Sequence, residues 1–137
     1  MPLLKKTVSD IDVADKRVLV RLDLDVSGTE DDVVRGTRIR SGLPTVQYLR
    51  DRGARVILCS HQGDPEGRIV EDLRLDPVRD TLEELLGTRV LKAEDCIGPE
   101  AQQAVGSLES GDVLLLENTQ FHYGESTNYP GFARELA

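Results

Sequence analysis

Polar side chains that could bind an anion or a metal ion follow three of the apolar runs in this sequence. Asp23 and Asp25 lie at the end of the first run, and His61 and Asp64 follow the second. Gln120 follows the last run, within a polar segment at 117–122. Carboxylates, imidazoles and amides are groups that hold phosphates by hydrogen bonds or coordinate cations. Their repeated position after apolar runs predicts a common site.

Each of these signals also has a structural interpretation. Asp23-x-Asp25 could be a carboxylate pair for Mg²⁺ or for attack on a phosphoryl group, or a solvated strand end with an Asx turn. Arg38 begins a helical stretch, where it could reach an anion or be an ordinary surface arginine. His61 and His122 are the chain's two histidines. Each could be a ligand or a structural residue.

Four apolar runs are predicted to be the strands that position these residues. The runs are short and rich in Val, Ile and Leu, which is typical of strands buried on both faces of a parallel sheet. Ligands bind beyond the carboxyl ends of such strands, where the polar residues lie. The runs occupy residues 17–24, 54–60, 88–91 and 112–116.

Helical patterns separate and follow the runs, over residues 37–52, 76–86, 100–105 and from Pro130 onwards. Pro44 predicts a kink or a late start, Asp76 a helix cap, and Gly87 a helix end. The alternation predicts an α/β fold, a three-layer, doubly wound, Rossmann-like parallel sheet of about four strands. We expect the strand order third, second, first, fourth.

Composition limits the class of partner. The chain has 137 residues, 39% of them hydrophobic, and a formal net charge of −8. We expect one domain over residues 1–137, with neither nucleic acid nor membrane as partner, because both carry negative charge. Cys59 and Cys96 fit neither a disulfide framework nor a metal motif, so we predict a reduced, cytoplasmic protein and no bound metal. The sequence contains neither a dinucleotide-binding fingerprint nor a P-loop.

Three longer motifs together resemble one family. They are RLDLDVS at 21–27, TRIRSGLPTVQYLRDRGARVILCSHQGDP at 37–65, and GDVLLLENTQFHYGE at 111–125. In content, order and separation they resemble the N-terminal domain of phosphoglycerate kinase, over nearly all of this chain but only part of the family's length. The resemblance implies a glycolytic transfer of phosphoryl between ATP and 3-phosphoglycerate. It also implies that the N-terminal domain holds the acid and another domain holds Mg-ATP.

The match is partial at the positions that would contact substrate. Asp23, Arg38 and His61 agree with the family pattern, which implies that Asp23 and His61 bind substrate and that Arg38 stabilises the transferring phosphoryl group. Asp25 stands where the family has Asn. Asp64 and Gln120 each stand where it has Arg, so two cations of the substrate-binding set are replaced.

The binding free energy lost with these two arginines indicates what the chain can do. A hydrogen bond to a charged group contributes ~1.5–3 kcal/mol, so losing two arginines weakens binding by ~10²–10⁴-fold. We therefore expect the substrate-side half of an ATP:carboxylate phosphotransferase that has no kinase activity on its own. We expect no cofactor in this chain, the nucleotide domain being absent from it.

Two alternatives remain open, together with the choice of partner. The chain could be half of a split or longer enzyme of this type, acting on an acid less anionic than 3-phosphoglycerate. It could also be a Mg²⁺-dependent phosphatase with Asp23 as nucleophile and Asp25 as acid/base. We expect residues 112–116 to form an exposed edge strand, which predicts a homodimer or a separate nucleotide-domain partner. A small carboxylic acid is the expected ligand.

Overall fold

A four-stranded parallel sheet forms the centre of the protein, whose computed structural model describes residues 5–28 and 31–137. Parallel strands need long crossovers, which the helical segments supply. The strands lie in the order β1-β2-β4-β3. They are β1 (Arg17–Arg21), β2 (Arg55–Cys59), β3 (Val90–Lys92) and β4 (Val113–Leu115).

Helices lie between and after the strands, which confirms the predicted α/β class. No helix in the described part of the chain is both long enough and apolar enough to cross a bilayer. Short 3-10 helices occupy Val8–Asp10, Glu71–Leu73 and Thr119–Phe121. The α-helices are α1 (Asp32–Arg40), α2 (Leu43–Asp51), α3 (Asp76–Leu86), α4 (Pro99–Gly106), α5 (Tyr123–Ser126) and α6 (Pro130–Leu136).

The expected strand order is wrong. β4 lies between β2 and β3, so residues 112–116 form an interior strand, and β1 and β3 are the edges. Val113, Leu114 and Leu115 are fully buried, as an interior strand requires. The chain pattern does not fix this order, because a right-handed crossover can carry the next strand to either side of a sheet while the strand's own residues stay the same.

The sheet separates two apolar cores, because successive side chains of a strand point to opposite faces. Val56 and Leu58 of β2 pack in a cluster with residues of α1, α2 and α3. Ile57 and Cys59, also of β2, pack in a second cluster with residues of α4 and α6, including Phe132. Helices therefore cover both faces, which is the predicted three-layer arrangement.

β1 departs from the prediction that each strand is buried on both faces. Val18 and Val20 pack against the first core. Arg17, Leu19 and Arg21 are exposed on the opposite face, and no residue of β1 belongs to the second core cluster among the residues described. The physical reason is its position at the edge of the sheet, beyond the strands that the second core covers.

The helix boundaries confirm two of the three local predictions. α1 ends at Arg40 and α2 begins at Leu43, so Pro44 lies in a first turn, as a late start requires. Gly87 ends α3 with a φ of 65°, the left-handed conformation that glycine adopts without strain. Asp76, however, makes no capping hydrogen bond and follows the N-cap residue, Leu75.

Candidate functional site

Asp25, just beyond the carboxyl end of β1, receives hydrogen bonds from two loops. Its Oδ1 accepts from Ser27 N at 3.0 Å, from Ser27 Oγ at 2.5 Å and from Gly63 N at 3.2 Å. Its Oδ2 lies 3.5 Å from His61 Nε2. One carboxylate therefore joins the loop after β1 to the loop after β2.

The environment of Asp25 keeps this carboxylate charged. Partial burial disfavours the charge, but the hydrogen bonds from Ser27 and Gly63 and the nearby His61 outweigh it and lower the pKa of Asp25. Asp25 is therefore an anion at neutral pH. A negative group here repels a bound carboxylate or phosphate and attracts a cationic one.

Arg38 approaches Asp25 from α1. We call the edge of the sheet where Asp25 and His61 follow β1 and β2 the rim. Arg38 NH1 donates to the backbone oxygen of Asp25 at 3.0 Å, and the Arg38 side chain is exposed. A guanidinium carries several N–H donors in a planar fork, so this bond leaves others that can meet an anion. The structure thus brings Arg38, Asp25 and His61 together.

The remaining predicted residues lie around this group without direct contact to its side chains. Asp23 is exposed, and its Oδ1 accepts from Asp25 N at 3.2 Å, which is the Asx turn of the structural interpretation. Asp64 is exposed, with no hydrogen bond or ion pair to any described residue. Gln120 is half-buried, and its backbone oxygen accepts from Gly67 N at 3.1 Å.

Gly63 is required by the geometry of the second loop. Its φ is +63°, and a Cβ at this position would meet a Leu73 methyl carbon at 2.8 Å. A side chain is therefore disfavoured by the backbone conformation, and the Leu73 side chain would have to shift to admit it. The tight turn is what directs the Gly63 amide at Asp25.

Glu117 is buried just after β4, and its carboxylate accepts hydrogen bonds from several segments of the chain. Its Oε1 accepts from Leu75 N at 3.0 Å and from Asn118 N at 2.8 Å. Its Oε2 accepts from Lys92 Nζ at 2.8 Å and from Arg74 NH1 at 3.2 Å. Burial disfavours its charge, but these donors, led by Lys92, lower the pKa of Glu117. The carboxylate joins β3, β4 and the start of α3.

Two more polar residues after strands also support the loops. The Asn118 side-chain amide donates to Gln62 O at 2.8 Å and to Leu73 O at 3.0 Å. Ser60 Oγ accepts from Leu24 N at 3.1 Å. Asn118 and Ser60 are each 1% exposed, so they fix loop positions and are not available to a ligand.

The two histidines do not converge. His61 faces Asp25, whereas His122 Nε2 lies 2.6 Å from Asp95 Oδ1. The His122 ring also stacks against Phe132, with centroids 5.6 Å apart. Both histidines follow strands, but His61 lies beside Asp25 and His122 lies beside Asp95.

Arg35 is a candidate that the sequence patterns did not single out. It lines a cavity of about 230 Å³ together with Ser27 and Gln62. Gln62 is 6% exposed, and its Oε1 has no hydrogen-bond partner among the described residues. Arg35 lies three residues before Arg38, which places both on one side of α1. That spacing is the signal that could have found it.

The rim can hold an anionic group but does not contain a metal-binding triad. Arg38 and His61 can donate hydrogen bonds to an anion. The negative charge of Asp25 disfavours a strongly anionic ligand at the same place. In the described ranges, the one group of three clustered metal-ligating side chains lies elsewhere, at Asp95, Cys96 and His122. The described residues at the rim thus offer two groups that can donate to an anion, beside one carboxylate.

Comparison with known proteins gives consistent matches to one family. A family model described as phosphoglycerate kinase matches residues 8–137. A phosphoglycerate kinase of Moorella thermoacetica is 54% identical over 133 residues, which cover 97% of this chain and 34% of that protein. The chain thus spans about a third of this relative's length.

Solved structures agree with the sequence matches. The crystal structure of a phosphoglycerate kinase from Pyrococcus horikoshii matches with a TM-score of 0.81 and 29% identity, over 94% of this chain and 33% of that one. The phosphoglycerate kinase structure from Coxiella burnetii matches with a TM-score of 0.79 and 31% identity, over 94% and 32%. The described fold is therefore shared with part of each of these proteins.

Proposed function

This chain belongs to the phosphoglycerate kinase family, and on that premise we propose that it is the acid-binding side of an ATP:carboxylate phosphotransferase. The observation that supports this most directly is the meeting of Asp25, Arg38 and His61 at the carboxyl rim of β1 and β2. Phosphoryl transfer depends mainly on positioning and charge stabilisation, which an arginine at this rim can provide. Arg38 is the proposed catalytic residue.

We further propose that the 137-residue chain has no kinase activity on its own. Asp64 and Gln120 stand where the resemblance implies arginines, and Asp25, whose backbone oxygen accepts from Arg38, adds a further carboxylate. Two lost charged hydrogen bonds weaken an anion's binding by ~10²–10⁴-fold. In this proposal the Mg-ATP that the family resemblance implies is held outside these residues.

The direct test is calorimetric titration of 3-phosphoglycerate into the chain, with Arg38→Ala as the matched variant. We expect no saturable binding below ~1 mM for either protein, and no phosphoryl transfer when Mg-ATP is added. Circular dichroism would verify that both proteins are folded. Saturable binding below ~1 mM that Arg38→Ala removes would show a working acid site and contradict the proposed weakness.

A second candidate function is suggested by the exposed Asp64 carboxylate beside the rim. An acid that carries an ammonium group would gain a partner in Asp64 or Asp25 and would be less anionic than 3-phosphoglycerate. O-Phosphoserine is the suitable probe, because it replaces the hydroxyl of 3-phosphoglycerate with an amine. Tighter binding of O-phosphoserine, lost in Asp64→Asn, would support this candidate, and equal or weaker binding would exclude this amino acid as the ligand.

We propose β1 as the contact surface for a second copy or for a separate nucleotide-domain partner. β1 pairs only with β2 among the described strands, and its Leu19 is 42% exposed. A cavity of about 510 Å³ lies beside Leu19 and Ile57, bounded by residues of α4 and α6. An open strand edge beside an apolar surface favours association.

The cytoplasm is the proposed compartment. Cys59 and Cys96 are both free and buried in the structure. Unpaired cysteines persist where cellular thiols keep proteins reduced. Fractionation of cells that express the tagged chain would test the assignment, which recovery with a membrane or secreted fraction would contradict.

A further inference from the structure

Three side chains with different donor atoms meet between the loop after β3 and the segment before α5. Asp95 and Cys96 lie in the loop, and His122 directly precedes α5. A carboxylate oxygen of Asp95, the Sγ of Cys96 and an imidazole nitrogen of His122 all lie within 4.8 Å of one another. None of these residues belongs to the rim around Asp25.

The donor set selects the kind of cation. Thiolate and imidazole suit Zn²⁺ and other borderline or soft metals, whereas Mg²⁺ and Ca²⁺ require oxygen ligands. Zn²⁺ bonds of ~2.0–2.3 Å place tetrahedral ligands about 3.5 Å apart. Binding would therefore replace the 2.6 Å contact between Asp95 Oδ1 and His122 Nε2 with two metal bonds. We propose that Asp95, Cys96 and His122 form a Zn²⁺ site, with water as the fourth ligand.

The surroundings of the triad are ordered and partly open to solvent. The side chains of Asp95 and His122 are 44% and 31% exposed, which gives an ion access. Cys96 is 3% exposed and lies at the inner side of the cluster. Asp95 Oδ1 accepts from Cys96 N at 2.6 Å, and Phe132 stacks on the His122 ring. These contacts restrict the ligands before an ion arrives.

The hydrogen bond between Asp95 and His122 explains the positions of these two side chains even in the absence of a metal ion. Cys96 packs in the second core cluster, and its Sγ still lies within 4.8 Å of both other groups, where it adds the donor that Zn²⁺ prefers. A cysteine ligand must lose its proton when it binds a metal ion. On binding, a Zn–S bond forms, the S–H bond breaks and the proton passes to the buffer.

Bound Zn²⁺ would join the β3–α4 loop to the segment before α5. Phe132 belongs to α6, so the ion would also fix the position of the last helix through His122. This role requires neither ATP nor an acid substrate. Failure of the proposed phosphotransferase function would therefore leave this proposal unaffected, and the reverse also holds.

Co²⁺ is the probe, because a cobalt–thiolate bond gives a charge-transfer absorption in the near ultraviolet that carboxylate and imidazole ligands do not. Titration of the reduced full chain with Co²⁺ should produce this band, and Zn²⁺ should remove it by competition. Cys96→Ala should lose the band. His122→Gln and Asp95→Asn, both at partly exposed positions, should weaken Zn²⁺ binding by at least ~10-fold, the lower limit seen even for outer-shell changes.

The chain supplies its own matched controls. Cys59→Ala removes the other buried thiol, and His61→Gln removes the other imidazole; both should keep the band and the Zn²⁺ affinity. Zn²⁺ should also raise the melting temperature of the unmodified chain but not that of Asp95→Asn, because a ligand stabilises the state that binds it. Absence of a thiolate band in the unmodified chain, or its survival in Cys96→Ala, would overturn the proposal.

Discussion

Asp64 and Gln120 are the residues to which the proposed function assigns the loss of anion binding at the rim. Around them the supporting residues are intact, since Gly63 holds the loop and Asn118 joins it to the neighbouring backbone. The changes therefore affect charge and not the framework. Restoring positive charge at positions 64 and 120 should therefore restore binding of an anionic acid without any change to the loops.

The first prediction is that Asp64→Arg combined with Gln120→Arg tightens binding of 3-phosphoglycerate by ~10²–10⁴-fold, because two charged hydrogen bonds return. Asp64→Arg alone should give a smaller part of this gain. Calorimetric titration measures both. The control is Glu66→Arg, which changes the net charge as much as Asp64→Arg at an exposed position two residues away. An equal gain in that control would mean that net charge, and not the site, is responsible.

Glu117 carries the second residue-scale prediction, which concerns stability. Its side chain is 2% exposed and pairs with Lys92, whose side chain is 7% exposed. Glu117→Gln should lower the free energy of unfolding by ~3–5 kcal/mol, because it leaves a buried cation without its partner. Urea unfolding gives the value. Glu71→Gln breaks an exposed pair with Arg74 and should cost much less, because water screens an exposed ion pair. Similar losses in the two variants would contradict the role of Glu117.

The pH dependence of stability provides a third prediction. The folded-state pKa of Glu117 is lowered, so its contribution is complete above the ordinary glutamate pKa and is lost as pH falls through the folded value. Unfolding free energy should therefore decline more steeply on acidification in the unmodified chain than in Glu117→Gln. Urea titrations from neutral to acidic pH would measure both slopes. Parallel slopes would show that other carboxylates account for acid sensitivity.

At the scale of elements, the loops after β1 and β2 must be held together for the rim to exist. The bond from the Gly63 amide to the Asp25 carboxylate is one direct link between them, and the bond from Leu24 N to Ser60 Oγ is another. The loop conformation at Gly63 is therefore a condition for the site and not a consequence of it. Another glycine, Gly87, has nearly the same φ but ends a helix outside the rim.

The fourth prediction compares these two glycines by substitution with alanine. Gly87→Ala should cost ~1–2 kcal/mol for the left-handed backbone alone, since no atom lies within 4 Å of the added Cβ. Gly63→Ala should cost more, because its Cβ meets Leu73 at 2.8 Å. Thermal or urea unfolding measures the difference. Equal losses would indicate that Leu73 moves aside and that the loop is less constrained than its geometry implies.

At the scale of the whole molecule, one face of β1 is exposed and takes no part in the second core cluster among the residues described. Leu19 lies there between two exposed arginines, Arg17 and Arg21. Arg21 pairs with Glu125, which keeps part of this surface polar. Association through β1 would bury Leu19 and extend the sheet.

The fifth prediction is that Leu19→Lys converts the chain from a dimer to a monomer. A lysine on an edge strand opposes pairing, and Leu19 is already 42% exposed, so the fold should persist. Light scattering at micromolar concentration measures the mass. The control is Ile69→Lys, a 65% exposed position outside β1, which should leave the mass unchanged. A monomeric unmodified chain would contradict the homodimer. The separate nucleotide-domain partner would then be the alternative to test.

Local sequence patterns determined the fold class and most element positions. The apolar runs, Pro44 and Gly87 act through backbone and side-chain preferences over a few residues, and the structure confirms them. Asp76 failed as a cap because α3 begins after Leu75, whose amide bonds to Glu117 from a distant strand. Such a contact has no signal in the local pattern.

Only the tertiary structure decided the strand order, the open face of β1 and the separation of the two histidines. These features depend on which side of the sheet each crossover takes, and local preferences are nearly the same for either side. The same long-range choice unites Asp25 with His61, and Asp95 with His122. The sequence thus determined which residues stand at strand ends, and chain packing determined which of them meet.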